Sequence, residues 1–235
     1  MPLSEHLREL RNRLIVYMVF LLPVSVYAFI QARPLVALLL LPTHGQISHL
    51  IVTSPGEALY TFIEVGLAAG FIVTSPVLLY EIAAFISPAL QPSERRRLYR
   101  FVPVVFLLFL VGISFGYFIF LPLVLQFLLE FATAPFEPLI SLGKYIGFVV
   151  DTTLPFGLIF EMPVAVYLLA ITGVLHPSFL RKQRRVAILV IFIVSGAVTP
   201  PSALPMLLMV VPMLVLYEVS ILVADFAVRR RRPMV

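Results

Sequence analysis

Apolar runs long enough to cross a bilayer recur along the whole chain, and they limit what it can fold into. A helix needs about 20 apolar residues to span a hydrocarbon core of roughly 30 Å. Six stretches approach that length, at about 14–30, 59–85, 101–129, 145–171, 186–198 and 203–224. Within lipid the backbone must satisfy its own hydrogen bonds, which leaves helices and closed barrels. Barrel strands would alternate apolar and polar residues with a period of two. These runs are apolar on every side, so the barrel is excluded. The expected fold is all-α: a polytopic membrane protein of six kinked transmembrane helices forming a concave bundle.

Composition agrees. Of 235 residues, 61% are hydrophobic and 12% charged, with a mean hydropathy of +1.06. Soluble chains carry roughly a quarter charged residues, and half that value cannot cover a water-facing surface. The chain contains no cysteine, which excludes disulfides, thiolate metal sites and a thiol nucleophile.

The net charge of +5 reflects topology rather than nucleic acid. Arg8, Arg11 and Arg13 precede the first run. Arg95, Arg96, Arg97 and Arg100 lie between the second and third, and Arg181, Lys182, Arg184 and Arg185 between the fourth and fifth. Arg229 to Arg232 follow the sixth. Fifteen of the 17 basic residues thus fall on one side, leaving Arg33 and Lys144 on the other. The positive-inside rule makes the rich side cytoplasmic and places both termini there. Basic residues before an apolar run also outline a secretory signal. No small-x-small cleavage site stands near Ile30, so the first helix is read as retained.

Connections are short, and the chain is expected to form one membrane domain, residues 1–235. In the longest outer connection, residues 35–41 are too few to span and are expected in the interface. The fifth stretch covers only about 20 Å at 1.5 Å per residue, so local bilayer thinning is expected beside the fifth and sixth helices. Of the 20 prolines, Pro23, Pro76, Pro103, Pro122, Pro155, Pro163, Pro205 and Pro212 fall in or at the ends of spans. Each removes a backbone donor and is expected to kink its helix.

Ionisable groups within a membrane are costly and point to function by default. Glu64 and Glu81 lie in the second stretch, Asp151 and Glu161 in the fourth and Glu218 in the sixth. Glu161 is the sharpest, set in Phe160-Glu161-Met162-Pro163. It is either a polar contact facing a ligand cavity, or a protonated carboxyl bonded to a carbonyl freed by proline. Asp151 is expected to face water near the outer boundary, and Glu81 to snorkel at the inner one.

Gly112-Ile113-Ser114-Phe115-Gly116 matches the G-x-S-x-G hydrolase pattern, which needs a strand-to-helix elbow. Here it is mid-helix and the four histidines lie in loops or at the N-terminus, so close helix packing is the better account. No metal-ligand cluster, Walker A or H-E-x-x-H motif is present, and no catalysis or cofactor is expected. Glu5, Glu9 and Glu94 sit among cytoplasmic arginines. Charge balance and helix N-terminal capping account for them, but two carboxylates can also receive guanidinium groups through paired hydrogen bonds.

Seven motifs in order carry a resemblance. His6-Leu7-Arg8-Glu9-Leu10-Arg11-Asn12-Arg13-Leu14 opens the series. Ser75-Pro76-Val77-Leu78-Leu79-Tyr80, Ala84-Phe85-Ile86-Ser87-Pro88-Ala89-Leu90 and Glu94-Arg95-Arg96 follow. Phe115-Gly116-Tyr117-Phe118, Phe160-Glu161-Met162-Pro163-Val164-Ala165 and Thr199-Pro200-Pro201 complete it. Together they resemble the TatC family, the large subunit of the twin-arginine protein translocase.

The resemblance implies a receptor for Arg-Arg signal peptides of folded cargo, working with TatA- and TatB-like subunits in a homo- or hetero-oligomer in the cytoplasmic membrane. The proton-motive force would drive it. Glu9 and Glu94 match the positions that receive the arginines, and Arg11, Phe85 and Leu90 match their neighbours. Pro76 and Tyr117 match further motif positions, and Glu161 the intramembrane glutamate. Ser202 departs from the family, which often has an acid there. The competing account is a proton-coupled secondary transporter of a small solute, against which the absence of internal repeats counts.

Overall fold

The computed structural model describes residues 3–43, 50–89, 91–131, 139–199 and 203–231. A helix stands at each of the six apolar stretches. α1 is Leu3–Ile30, α2 the short Ala32–Leu39, and α3 Glu57–Ile86. α4, Pro92–Phe115, continues through a wide π turn at Gly116–Phe120 into α5, Leu121–Phe131. α6 is Leu142–Phe160 and α7 Met162–Thr172; α8 is Pro177–Lys182, α9 Arg184–Val198 and α10 Ala203–Arg231. Among the described residues, five helical stretches are long and apolar enough to cross a membrane. The 15-residue α9 falls short of that length.

Several boundaries move outward from those expected. The third helix starts at Pro92 instead of 101, because the arginine-rich segment is itself helical. The sixth runs on to Arg231, so most of the terminal arginines are helical too. Residues 35–41 belong to α2 and the tight turn after it, Leu41–Thr43. A two-residue parallel pair, β1 Leu50–Ile51 with β2 Ile140–Ser141, was not foreseen.

The chain divides into two compact units, Met1–Leu107 with Leu129–Val150, and Leu108–Leu128 with Asp151–Val235. In the first, α1 and α3 pack antiparallel. His6 meets Phe85, Arg13 meets Glu81, Tyr17 meets Thr74 and Ser25 meets Gly70. A Cβ on Gly70 would lie 2.1 Å from Ser25 Oγ, so the two backbones approach only because that side chain is missing. Glu57, at the start of α3, accepts hydrogen bonds from Thr53 N–H and Oγ1, from the Ser141 hydroxyl, and from Gly143 N–H at 2.8 Å. One carboxylate thereby fastens the segment before α3 to β2 and the first turn of α6.

In the second unit Phe109, Phe156, Leu121, Met209 and Ile221 are fully buried, and α10 packs on α7 and α9. Ser195 Oγ donates to Met206 O and Tyr217 Oη to Leu180 O, both at 2.7 Å. The remaining faces carry exposed apolar residues, such as Leu189 and Ile193 on α9 and Leu222 on α10. Such faces suit lipid rather than water.

Most of the span prolines are accommodated without ending a helix. Pro23, Pro76, Pro103, Pro155 and Pro212 lie inside unbroken helices. Pro76 leaves the Ile72 carbonyl without its helical donor, and Ser75 Oγ donates to that carbonyl at 2.7 Å. The device recurs at Pro88, where Ser87 Oγ donates to Ala84 O at 3.0 Å. Pro122 follows the π turn, in which Leu121 N–H reaches back to Gly116 O. Pro163 coincides with an interruption, the step from α6 to α7 at Glu161. α7 ends at Gly173, whose φ of 80° suits glycine.

Candidate functional site: an arginine held between two carboxylates

Glu9 lies on α1, one turn before Arg13. Arg13 donates from Nε and Nη2 to Glu9 Oε1, at 3.0 and 2.6 Å, and from Nη1 to Glu81 Oε2 at 3.0 Å. The first contact follows from i,i+4 spacing on a helix. The second crosses to α3. A depression of about 510 Å³ opens beside them, bordered also by Glu5, Arg8 and Asn12. One turn beyond Glu81, Phe85 stacks on His6 with ring centroids 4.2 Å apart and planes 19° apart.

Arg11 is exposed and makes no side-chain bond among the described residues. Glu94 is half-buried in the first turn of α4, and its Oε2 accepts from Gln91 N–H at 3.1 Å. That contact is the returning half of a capping box, so the capping role considered from sequence is present. Leu90 and Ser202 lie outside the described residues. Pro76 is half-buried in α3, and Tyr117 is buried in the π turn, edge-on to Phe118 at 4.8 Å.

The other acids sort by partner. Glu81 is paired with Arg13, and Glu218 with Arg184 at 2.8 Å. Asp225, passed over in the sequence, pairs with Arg181. Asp151 is exposed. Glu64 is half-buried beside Gly147 of α6. Glu161 differs from these. Both of its carboxyl oxygens are buried and find no hydrogen-bond partner among the described residues. The bond to a proline-freed carbonyl is therefore not made.

The G-x-S-x-G stretch is a packing surface. Ser114 Oγ bonds to Leu110 O at 2.7 Å, while Gly112 and Gly116 lie against Phe156. No group of three or more His, Cys, Asp or Glu placed to hold a metal occurs among the described residues.

Sequence reasoning named Glu9 but passed over Arg13 and Glu81 as one unit with it. The i,i+4 pair was available in the sequence. The Arg13–Glu81 contact spans 68 residues and needed the α1–α3 crossing.

Helical spans, apolar outer faces and paired arginines define a multi-pass α-helical membrane protein. The model of the Sec-independent protein translocase protein (TatC) family matches residues 5–212. TatC of Aquifex aeolicus is 40% identical over 240 residues, covering 99% of this chain and 98% of that protein. TatC of Carboxydothermus hydrogenoformans is 38% identical over 227 residues, covering 96% and 93%. A crystal structure of the twin-arginine translocase receptor TatC superimposes with a TM-score of 0.86 at 39% identity, covering 94% of this chain and 99% of that one. The chain belongs to the TatC family, and is a subunit of the Sec-independent protein translocase with a role in transport. The small-solute transporter finds no support among these relatives.

Proposed function

We propose that this chain is the signal-peptide receptor and core subunit of its translocase. Glu9 and Glu94 receive the arginine pair of a folded cargo's signal peptide at the cytoplasmic face, with Arg11, Phe85 and Leu90 bordering the site. The chain acts as one six-span domain of the cytoplasmic membrane with both termini inside. It works with TatA- and TatB-like subunits under the proton-motive force, without catalysis of its own. Within the membrane, Glu161 offers a carboxyl to a polar group of a bound segment or partner.

The observation that carries this reading is the hydrogen bonding at Glu9. Its carboxylate already holds a guanidinium through two N–H groups, at 2.6 and 3.0 Å. Arginine presents a planar fork of donors that lysine cannot copy, so a site of this kind separates Arg-Arg from Lys-Lys. The relative with the superimposable structure is itself described as a receptor.

The test is binding of a labelled Arg-Arg signal peptide to purified protein in nanodiscs, with a Lys-Lys peptide as control. Glu9→Ala and Glu94→Ala are each expected to raise Kd by about tenfold or more, the size of one charge-assisted hydrogen-bonded contact. Tight binding that neither change alters would move the recognition surface elsewhere.

A further inference from the structure

Resting on that reading, we propose that Arg13 is an internal stand-in for the signal peptide's guanidinium, and that Glu81 completes the receiving site with Glu9. The three side chains form a closed latch in the unliganded protein, and an incoming arginine opens it.

Valence and exposure carry the proposal. A guanidinium has five N–H donors, and Arg13 spends three of them on two carboxylates contributed by different helices. On the acceptor side only one oxygen of each carboxylate is used, Glu9 Oε1 and Glu81 Oε2. The other oxygens, Glu9 Oε2 and Glu81 Oε1, take no bond among the described residues. Three features therefore coincide on the depression's wall: two half-used acceptors, a bridging cation and open space. The side chains of Arg13, Glu9 and Glu81 are 26%, 22% and 14% exposed, so the bridge is reachable from solvent yet shielded enough to hold its geometry.

The physical consequence is competition. Without Arg13, two carboxylates would face each other across the α1–α3 crossing with no cation between them, a repulsive arrangement that any arriving guanidinium relieves. With Arg13 present, an arriving arginine must offer more than the bonds it displaces. Two adjacent guanidiniums can do so, one taking the free oxygens of Glu9 and Glu81 while Arg13 swings away and the other held by Glu94, whereas a single or poorly shaped cation cannot. Arg13 thus sets a threshold that favours paired arginines. Arg8 borders the same depression but bonds to neither carboxylate among the described residues. It therefore separates a specific latch from general charge.

The experiment measures Arg-Arg and Lys-Lys peptide binding to full-length protein in nanodiscs, for wild type and for Arg13→Gln, Arg13→Lys, Arg8→Gln and Glu81→Gln. Thermal unfolding of each variant identifies any that fail to fold. Arg13→Gln is expected to tighten Arg-Arg binding about tenfold and to narrow the gap between the peptides. Arg13→Lys keeps the charge but cannot bridge both acids, and should fall between wild type and Arg13→Gln. Arg8→Gln removes the same charge and should change Kd less than about threefold, as an exposed charge does. Glu81→Gln should weaken binding. Equal gains from Arg13→Gln and Arg8→Gln would reduce the effect to net charge and overturn the latch. Weaker binding in Arg13→Gln would also overturn it, making Arg13 a support for Glu9. If Arg-Arg binding is unchanged in Glu9→Ala and in Glu94→Ala, measured alongside, the receptor reading itself fails. If it needs Glu9 but ignores Arg13 and Glu81, only the latch fails.

Discussion

Replacing Gly112 by alanine probes a close helix approach in the second unit. A Cβ at position 112 would lie 2.4 Å from the Phe156 carbonyl oxygen, and 2.9 Å from both Phe156 C and Gly157 Cα. Ordinary contact needs about 3.5 Å, so α4 and α6 would have to part by about 1 Å. The obstacle is backbone, with no rotamer to yield. The cost therefore belongs at the top of the overpacking range, about 3 kcal/mol. Alanine recovers about 0.5–1 kcal/mol over glycine within a helix, leaving a net loss of about 2 kcal/mol. On the scale of soluble domains of similar length, that lowers Tm by about 4–8 °C.

The matched control is Gly196→Ala on α9. There, among the described residues, a Cβ would meet only the Met206 sulfur, at 3.3 Å, and a flexible thioether can move aside. That variant should stay within about 0.5 kcal/mol of wild type. Thermal unfolding of both variants in one detergent, followed by circular dichroism, decides the matter. A Gly112→Ala protein as stable as wild type would refute the close-packing account of this motif. So would an equal loss from Gly196→Ala.

Further outcomes follow from other contacts. Glu57→Gln should weaken the four-donor junction at the start of α3, seen as faster hydrogen exchange at the Thr53 and Gly143 amides; unchanged exchange at both would show the junction to be idle. Ser75→Ala should cost about 1 kcal/mol by leaving the Ile72 carbonyl bare, but much less in a Pro76→Ala background where the helical donor returns; equal costs in the two backgrounds would contradict the serine–proline device. The chain has no cysteine, so single cysteines report topology cleanly. A cysteine at Arg97 should react with an impermeant maleimide only from the cytoplasmic side, and one at Lys144 only from outside; the reverse pattern would invert the proposed orientation.

Much of this protein was legible in one dimension because lipid is an undiscriminating solvent. It requires long apolar helices and tolerates little else, so hydropathy alone located the six stretches. The order of the seven motifs along the chain carried the family. Helix ends were less legible. Hydropathy stops at the first arginines, yet Pro92–Arg100 and the last turns of α10 continue as helix, since backbone hydrogen bonding does not require apolar side chains.

How the helices accommodate their prolines was likewise not legible in the sequence. A neighbouring serine hydroxyl supplies the missing donor at Pro76 and Pro88, and the sequence shows the serine but not the bond. What only the tertiary structure decided are pairings between residues far apart in the chain. They include Arg13 with Glu81, Glu57 with Ser141 and Gly143, Arg181 with Asp225, and Gly112 with Phe156. Each depends on which faces two helices present where they cross. A stretch that is apolar on all sides gives little sign of which face that will be, so the burial of Glu161's oxygens and the bridging of Arg13 emerged only once the helices were packed.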